Sequence, residues 1–126
     1  MKRFATLALS LLAACATAPA PVLAGPTAGL GELAHSGDVW VRPLAVLEDS
    51  RCPATVQCVW AGQVRIRAEI TSQRARTTRD MTLGKPVLVS GGSITLADVQ
   101  PGKLAPGTTD PRAYRFTFET VTLPRP

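Results

Sequence analysis

Gln63-Val64-Arg65-Ile66-Arg67-Ala68-Glu69-Ile70-Thr71 is the stretch that decides the fold. Val64, Ile66, Ala68 and Ile70 alternate with Arg65, Arg67, Glu69 and Thr71. Successive side chains of an extended chain leave opposite faces, so this period of two places the first set on a core and the second in water.

The same period continues outward. Ser72 to Arg76 reads as a polar hairpin turn, and Met81 and Leu83 alternate with Asp80 and Thr82 in a return strand. Gly84-Lys85-Pro86 breaks that strand. Val87-Leu88-Val89 is a short apolar strand ended by Gly91-Gly92, and Ile94 and Leu96 begin another. Gln100 to Pro111 holds three prolines and two glycines and reads as a long loop. In the last strand, Arg112 to Leu123, the residues Tyr114, Phe116 and Phe118 share one face. Val121 and Leu123 fall on the other parity, which a β-bulge near Thr120 or a strand covered on both sides would explain. On the N-terminal side, Val39-Trp40-Val41 and Leu44 to Leu47 flank Pro43, which cannot donate to a ladder and so predicts an edge or a bulge. Six or seven short strands without a convincing helix predict an all-β domain over residues 38–126. The expected form is a small antiparallel β-sandwich of Ig-like or Greek-key type, with a small β-barrel as the alternative.

The chain has 126 residues, 11 of them proline and 10 glycine. That is room for one domain, and too little for a barrel of alternating strands and helices. The formal charge of +5 suggests nucleic acid or anionic lipid as a partner. The first segment alters that inference. Lys2 and Arg3 precede an uncharged run, Phe4 to Ala14, rich in leucine; together they read as a secretory signal over residues 1–14, too short to span a bilayer. The run ends in Leu12-Ala13-Ala14-Cys15, which resembles the bacterial lipobox: an aliphatic residue, two small ones, then a cysteine whose thiol carries the lipid. The resemblance implies an envelope lipoprotein, lipidated at Cys15 and attached to a membrane at the outer membrane or the periplasmic face. The rival is cleavage after Val22-Leu23-Ala24 and plain secretion into the periplasm or beyond. Removing residues 1–14 leaves 12 basic against 9 acidic residues, a charge of +3. An exported protein meets little nucleic acid, so no nucleic-acid partner is expected. Residues 15–37 then read as the lipidated cysteine and a flexible tether.

With Cys15 lipidated or removed, Cys52 and Cys58 remain in an oxidising compartment, where a disulfide is the default. Their six-residue separation forces a curl, because a disulfide needs Cα atoms about 5.5 Å apart and an extended chain would hold them at about 20 Å. Closing seven residues contributes about 2.4 kcal/mol in the chain-entropy model. Trp60, two residues past Cys58, points to the same face in a strand and is expected to pack in the core against the disulfide. Asp49 and Ser50 are suited to shaping the turn, and Arg51 either pairs with Asp49 or projects. Asp49-Ser50-Arg51-Cys52-Pro53, four residues, Cys58, one residue, then Trp60-Ala61-Gly62 resembles a motif of small secreted or lipid-anchored bacterial proteins of uncharacterised function. The resemblance extends weakly to the following strand and to Val99-Gln100-Pro101. It implies a β-rich envelope domain and no catalytic residues.

Asp49, Ser50, Arg51 and Trp60 form the candidate binding loop, since a constrained loop loses little entropy on binding and Arg and Trp are common anchors. Arg65, Arg67, Arg74, Arg76 and Arg79 gather on one hairpin and form a candidate patch for an anionic partner. Metal sites need several ligands, and the only histidine, His35, lies in the expected tether. No catalytic residues, metal or cofactor are expected. The reading that follows is a non-catalytic binding or structural accessory module touching an envelope protein or an anionic surface. The alternative is a secreted protease-inhibitor-like or minor hydrolase domain.

Overall fold

The computed structural model describes residues 25–73, 75–103 and 107–124. The alternating stretch becomes strand β4, Val64–Ser72, and its Val64, Ile66, Ala68 and Ile70 are fully buried. In chain order the other strands are β1 (Thr27–Ala28), β2 (Ala34–Ser36), β3 (Val39–Asp49), β5 (Ala75–Thr82), β6 (Pro86–Val89), β7 (Gly92–Gln100) and β8 (Arg115–Thr122). One 3-10 turn, Pro111–Ala113, precedes β8. Two antiparallel four-stranded sheets result, ordered β2-β3-β4-β5 and β1-β8-β7-β6. They face each other as a small β-sandwich and do not close into a barrel. Consecutive strands are neighbours within a sheet or pass between the two sheets at an edge. The connectivity is therefore up-and-down, in place of the crossed Ig-like or Greek-key connection weighed from the sequence.

Phe116 and Phe118 from β8, Ile94 and Leu96 from β7, and the four apolar residues of β4 meet between the sheets. Three bulges decide which residues join them. Register shifts fall between Pro43 and Ala45 and between Val46 and Glu48 in β3. Each inserts one residue, so the inward positions run Val41, Pro43, Val46, Asp49. A third shift, between Leu96 and Asp98 in β7, turns Val99 inward and Asp98 outward. Pro43 sits at a bulge, beyond the part of β3 that pairs with β2, where a residue without an N–H costs no ladder bond.

Two expectations change. The segment 25–37 is part of the domain: β1 pairs with β8, β2 pairs with β3, and Ala28 and Ala34 are buried. Small residues read as a tether because a two- or three-residue edge strand shows no period. His35 accordingly lies in a sheet, stacked on Trp40 with ring centroids 4.3 Å apart. In β8 the register is regular through Thr120, so neither a bulge there nor a second covering layer accounts for Val121 and Leu123. Both point into solvent, 62% and 60% exposed.

Candidate functional site

The loop that carries the cysteines leaves β3 at Asp49 and returns to β4 at Val64. Its neck is closed by backbone and side chain together. Ser50 N–H donates to the Gln63 carbonyl at 2.9 Å. Gln63 N–H donates to Ser50 Oγ at 3.0 Å, and Ser50 Oγ donates to Glu48 Oε1 at 3.1 Å. Gln63 Nε2 reaches the other oxygen of Glu48 at 2.8 Å. The hydrogen bonds from Gln63 and Ser50, with the Arg65 charge behind them, hold the Glu48 carboxyl below its usual range. Gly62 lies against this neck: a Cβ there would overlap the Ser50 carbonyl. No other residue type fits so close to the opposing backbone.

Behind the neck, Arg51 is tied down. Its Nε and Nη2 donate to Asp49 Oδ1 and Oδ2, both at 2.9 Å, a bidentate fork. Nη1 donates to the Val99 carbonyl and Nη2 to the Pro101 carbonyl, each at 3.1 Å. The open choice of the sequence is thus resolved: Arg51 pairs with Asp49, its side chain 16% exposed, and does not project as an inhibitory residue would. The two segments that carry the motif resemblance, 49–62 and 99–101, meet at this guanidinium. Asp49 also accepts the Tyr114 hydroxyl at 2.7 Å. The Arg51 hydrogen bonds outweigh burial and, with the Tyr114 bond, hold the Asp49 carboxyl down to about 2. Burial and the bond to Asp49 push the Tyr114 phenol up. Lys103 Nζ donates to the Asp49 carbonyl at 3.2 Å, and Ala54 N–H to the Lys103 carbonyl at 2.9 Å.

Beyond these ties the loop turns outward. Cys52 and Cys58 are disulfide-bonded with Cα atoms 5.9 Å apart. Trp60 does not join the core: it is 61% exposed, and Val59 is 98% exposed. Residues 59–63 are not in a strand, so the two-residue periodicity that would have turned Trp60 inward does not apply. From Cys52 to Val64 no residue is charged. The tip is an uncharged surface of Val56, Val59 and Trp60 on a stapled base.

The arginine hairpin divides. Arg65, Arg67 and Arg76 lie on the outer face of β4 and β5, while Arg79 pairs with Ala68 and shares the opposite parity. Acidic side chains interleave the outer three: Arg67 with Asp80 at 3.1 Å, Arg65 with Glu48 and Asp80 at 3.8 Å, and Arg76 with Glu69 at 3.8 Å. Arg74 and Cys15 lie outside the described residues. Among the described residues no three His, Cys, Asp or Glu side chains gather to hold a metal. Tyr114, Lys103 and the carbonyls of Val99 and Pro101 complete the site and were not singled out by sequence as its members. The Val99-Gln100-Pro101 step was the one signal that pointed there.

The chain enters the sandwich far from this loop. Gly25 accepts a hydrogen bond from His35, and Pro26 accepts one from Phe118. β1 runs antiparallel to β8, so Gly25 and Pro26 lie toward the end of β8 remote from Tyr114. No protein-family model, curated protein or solved structure matches the chain.

Proposed function

We propose that the chain is a non-catalytic binding module of the bacterial cell envelope. In this reading it is exported by residues 1–14, held at a membrane by lipid on Cys15, and offers the loop 52–62 to an envelope protein. The observation that carries the proposal is the contrast within one loop. Its base is fixed by a disulfide and by the bonds to Asp49, Arg51 and Ser50, while Val59 and Trp60 at its tip stand in water. Exposed apolar groups on a fixed loop serve stability little and binding well. The entry of the chain at the other end of the sandwich supports an anchored domain that turns this loop away from the membrane. The anionic-surface partner has less support, since acidic side chains interleave the outer arginines.

A photo-crosslinking residue placed at Val59 in cells tests the binding surface, with the same residue at Glu119 on the far sheet as control. A discrete product from position 59 alone is expected; equal labelling at both positions would count against the loop. Incorporation of labelled palmitate, lost in Cys15→Ala, is expected for the anchor. Its absence from the unmodified protein would leave a secreted domain.

A further inference from the structure

The sandwich has four lateral strands, and three of them are short: β1 has 2 residues, β2 has 3, and β6 has 4 and begins with a proline. Such strands offer a second chain little to pair with. The fourth, β5, has 8 residues, and Ala75 to Asp80 are all exposed.

The hydrogen-bonding direction along β5 follows from its hairpin. Ser72 and Ala75 flank a two-residue turn in which Gln73 has a φ of 45°, so they form a hydrogen-bonded pair. Hydrogen-bonded and open pairs then alternate, and the odd-numbered residues of β5 bond to β4. Leu83 N–H donates to the Val64 carbonyl at 2.9 Å, in phase with this assignment. The backbone N–H and C=O of Arg76, Thr78 and Asp80 therefore point away from the sheet, and no described residue bonds them.

We infer that this edge is a self-association surface, at which β5 pairs antiparallel with β5 of a second copy of the chain about a two-fold axis at Thr78. The charge pattern selects that register. With the axis at Thr78, Arg76 faces Asp80 of the partner subunit at both ends, and no two arginines stand opposite each other. An axis at Arg76 or Arg79 sets arginine against arginine, and one at Asp80 sets carboxylate against carboxylate. An axis at Thr77 sets Arg76 against threonine and loses both pairs. At Thr78 the outward N–H and C=O groups also match, because the two threonines exchange both bonds of a hydrogen-bonded pair. The two four-stranded sheets become one of eight strands, with the disulfide loops free at its ends. The interface is a single pair of strands, at the small end of specific interfaces, so the dimer is concentration-dependent.

Sedimentation velocity of the full-length chain in density-matched detergent tests this. The weight-average mass is expected to rise from one copy toward two with protein concentration, and less so at high salt. Thr78→Pro removes only an outward N–H, so β4 pairing and the thermal midpoint are expected to hold. Two N–H···O bonds are lost per dimer, each worth roughly a factor of five, so association falls about 25-fold. If Thr78→Pro does not fold, charge exchange tests the same register. Arg76→Glu and Asp80→Arg each weaken self-association, because each sets like charges across the axis. An equal mixture of the two variants restores it, because both facing pairs of the mixed dimer again join an acid to a base. A chain that stays monomeric up to its solubility limit overturns the inference. So does association untouched by these changes, or an edge that binds an acidic extended peptide while the chain itself stays monomeric.

Discussion

The Tyr114 hydroxyl donates a 2.7 Å hydrogen bond to Asp49 Oδ2, joining residues 65 positions apart. Asp49 is the last residue of β3 and Tyr114 immediately precedes β8, so one proton links the two sheets at the end where the disulfide loop emerges. The same carboxylate receives the Arg51 fork. One acceptor thus positions the loop, the 99–103 segment and the start of β8, which makes Asp49 the group whose charge state the site depends on.

Acid should therefore weaken the fold through Asp49. Its carboxyl is held down to about 2 from an ordinary 3.8. A depressed carboxylate contributes stability that is fully present above the unfolded value and is lost as pH falls through the folded one. The window is about pH 4 to 2, and the contribution about 2 kcal/mol. Denaturant titrations of the unmodified protein between pH 5 and 2 are expected to lose that amount more than Asp49→Asn, which has no charge to lose. Glu48 shifts in the same direction in both proteins, so the difference isolates Asp49. Parallel stability curves would show that Asp49 is not the acid-sensitive group.

Tyr114 offers a spectroscopic readout, because it is the only tyrosine in the chain. Burial and its bond to Asp49 raise its ionisation above 10.0. The folded state favours the neutral phenol, so this stability is present below the unfolded value and disappears as pH rises through the folded one. The ultraviolet titration of phenolate is expected to lag behind that of free tyrosine, and Asp49→Asn should move it back part of the way. A titration unchanged by Asp49→Asn would mean that burial alone sets the shift.

The sheets were legible where they rest on period two, as β4, the Ile94–Leu96 part of β7 and the aromatic face of β8 do; β6 reads as an unbroken apolar run, and Ala75 to Asp80 of β5, exposed on both faces, show no period and read in part as turn. The inward turn of Val99 was not, since the bulge between Leu96 and Asp98 shifts parity without a proline or glycine to mark it, and at Val46 Pro43 signalled an edge or a bulge but not the parity that follows. Nor were β1 and β2, whose burial comes from their partners rather than from a pattern of their own. Within the site, the Asp49–Arg51 pair was one of two readings open in the sequence, because neighbouring charges do not say which way they point. Tyr114 read as core, and its ring is; its hydroxyl belongs to the site. Trp60 was misplaced because the strand geometry that would bury it begins only at Val64.

Arg51→Ala should destabilise the domain by about 3 kcal/mol, since it leaves the Asp49 carboxylate and two carbonyls without their partner. For a domain of this size that lowers the melting temperature by roughly 12–24 °C. Arg51→Lys should recover only part of the loss, because an ammonium reproduces the charge and not the fork. Calorimetry of the three proteins decides it: equal stability of the unmodified protein and Arg51→Lys would show that charge alone is needed.

Gly62 is expected to tolerate no side chain. A Cβ would overlap the Ser50 carbonyl and open the neck formed by Ser50 and Gln63. Gly62→Ala should cost about 1–3 kcal/mol, as overpacking at a fixed backbone does. Gly102 has open space where its Cβ would be, so Gly102→Ala serves as the control with little change in melting temperature.

Trp60 separates stability from recognition. A core tryptophan replaced by alanine costs about 3–5 kcal/mol. Trp60 is 61% exposed, so Trp60→Ala should change stability by less than about 0.5 kcal/mol and leave the Cys52–Cys58 bridge intact. The same substitution should abolish the crosslink captured from Val59 in cells, because a buried tryptophan at an interface is typically worth about 2 kcal/mol or more. The two measurements are independent. A large fall in melting temperature would return Trp60 to the core, and an unchanged crosslink at unchanged stability would remove it from the binding surface.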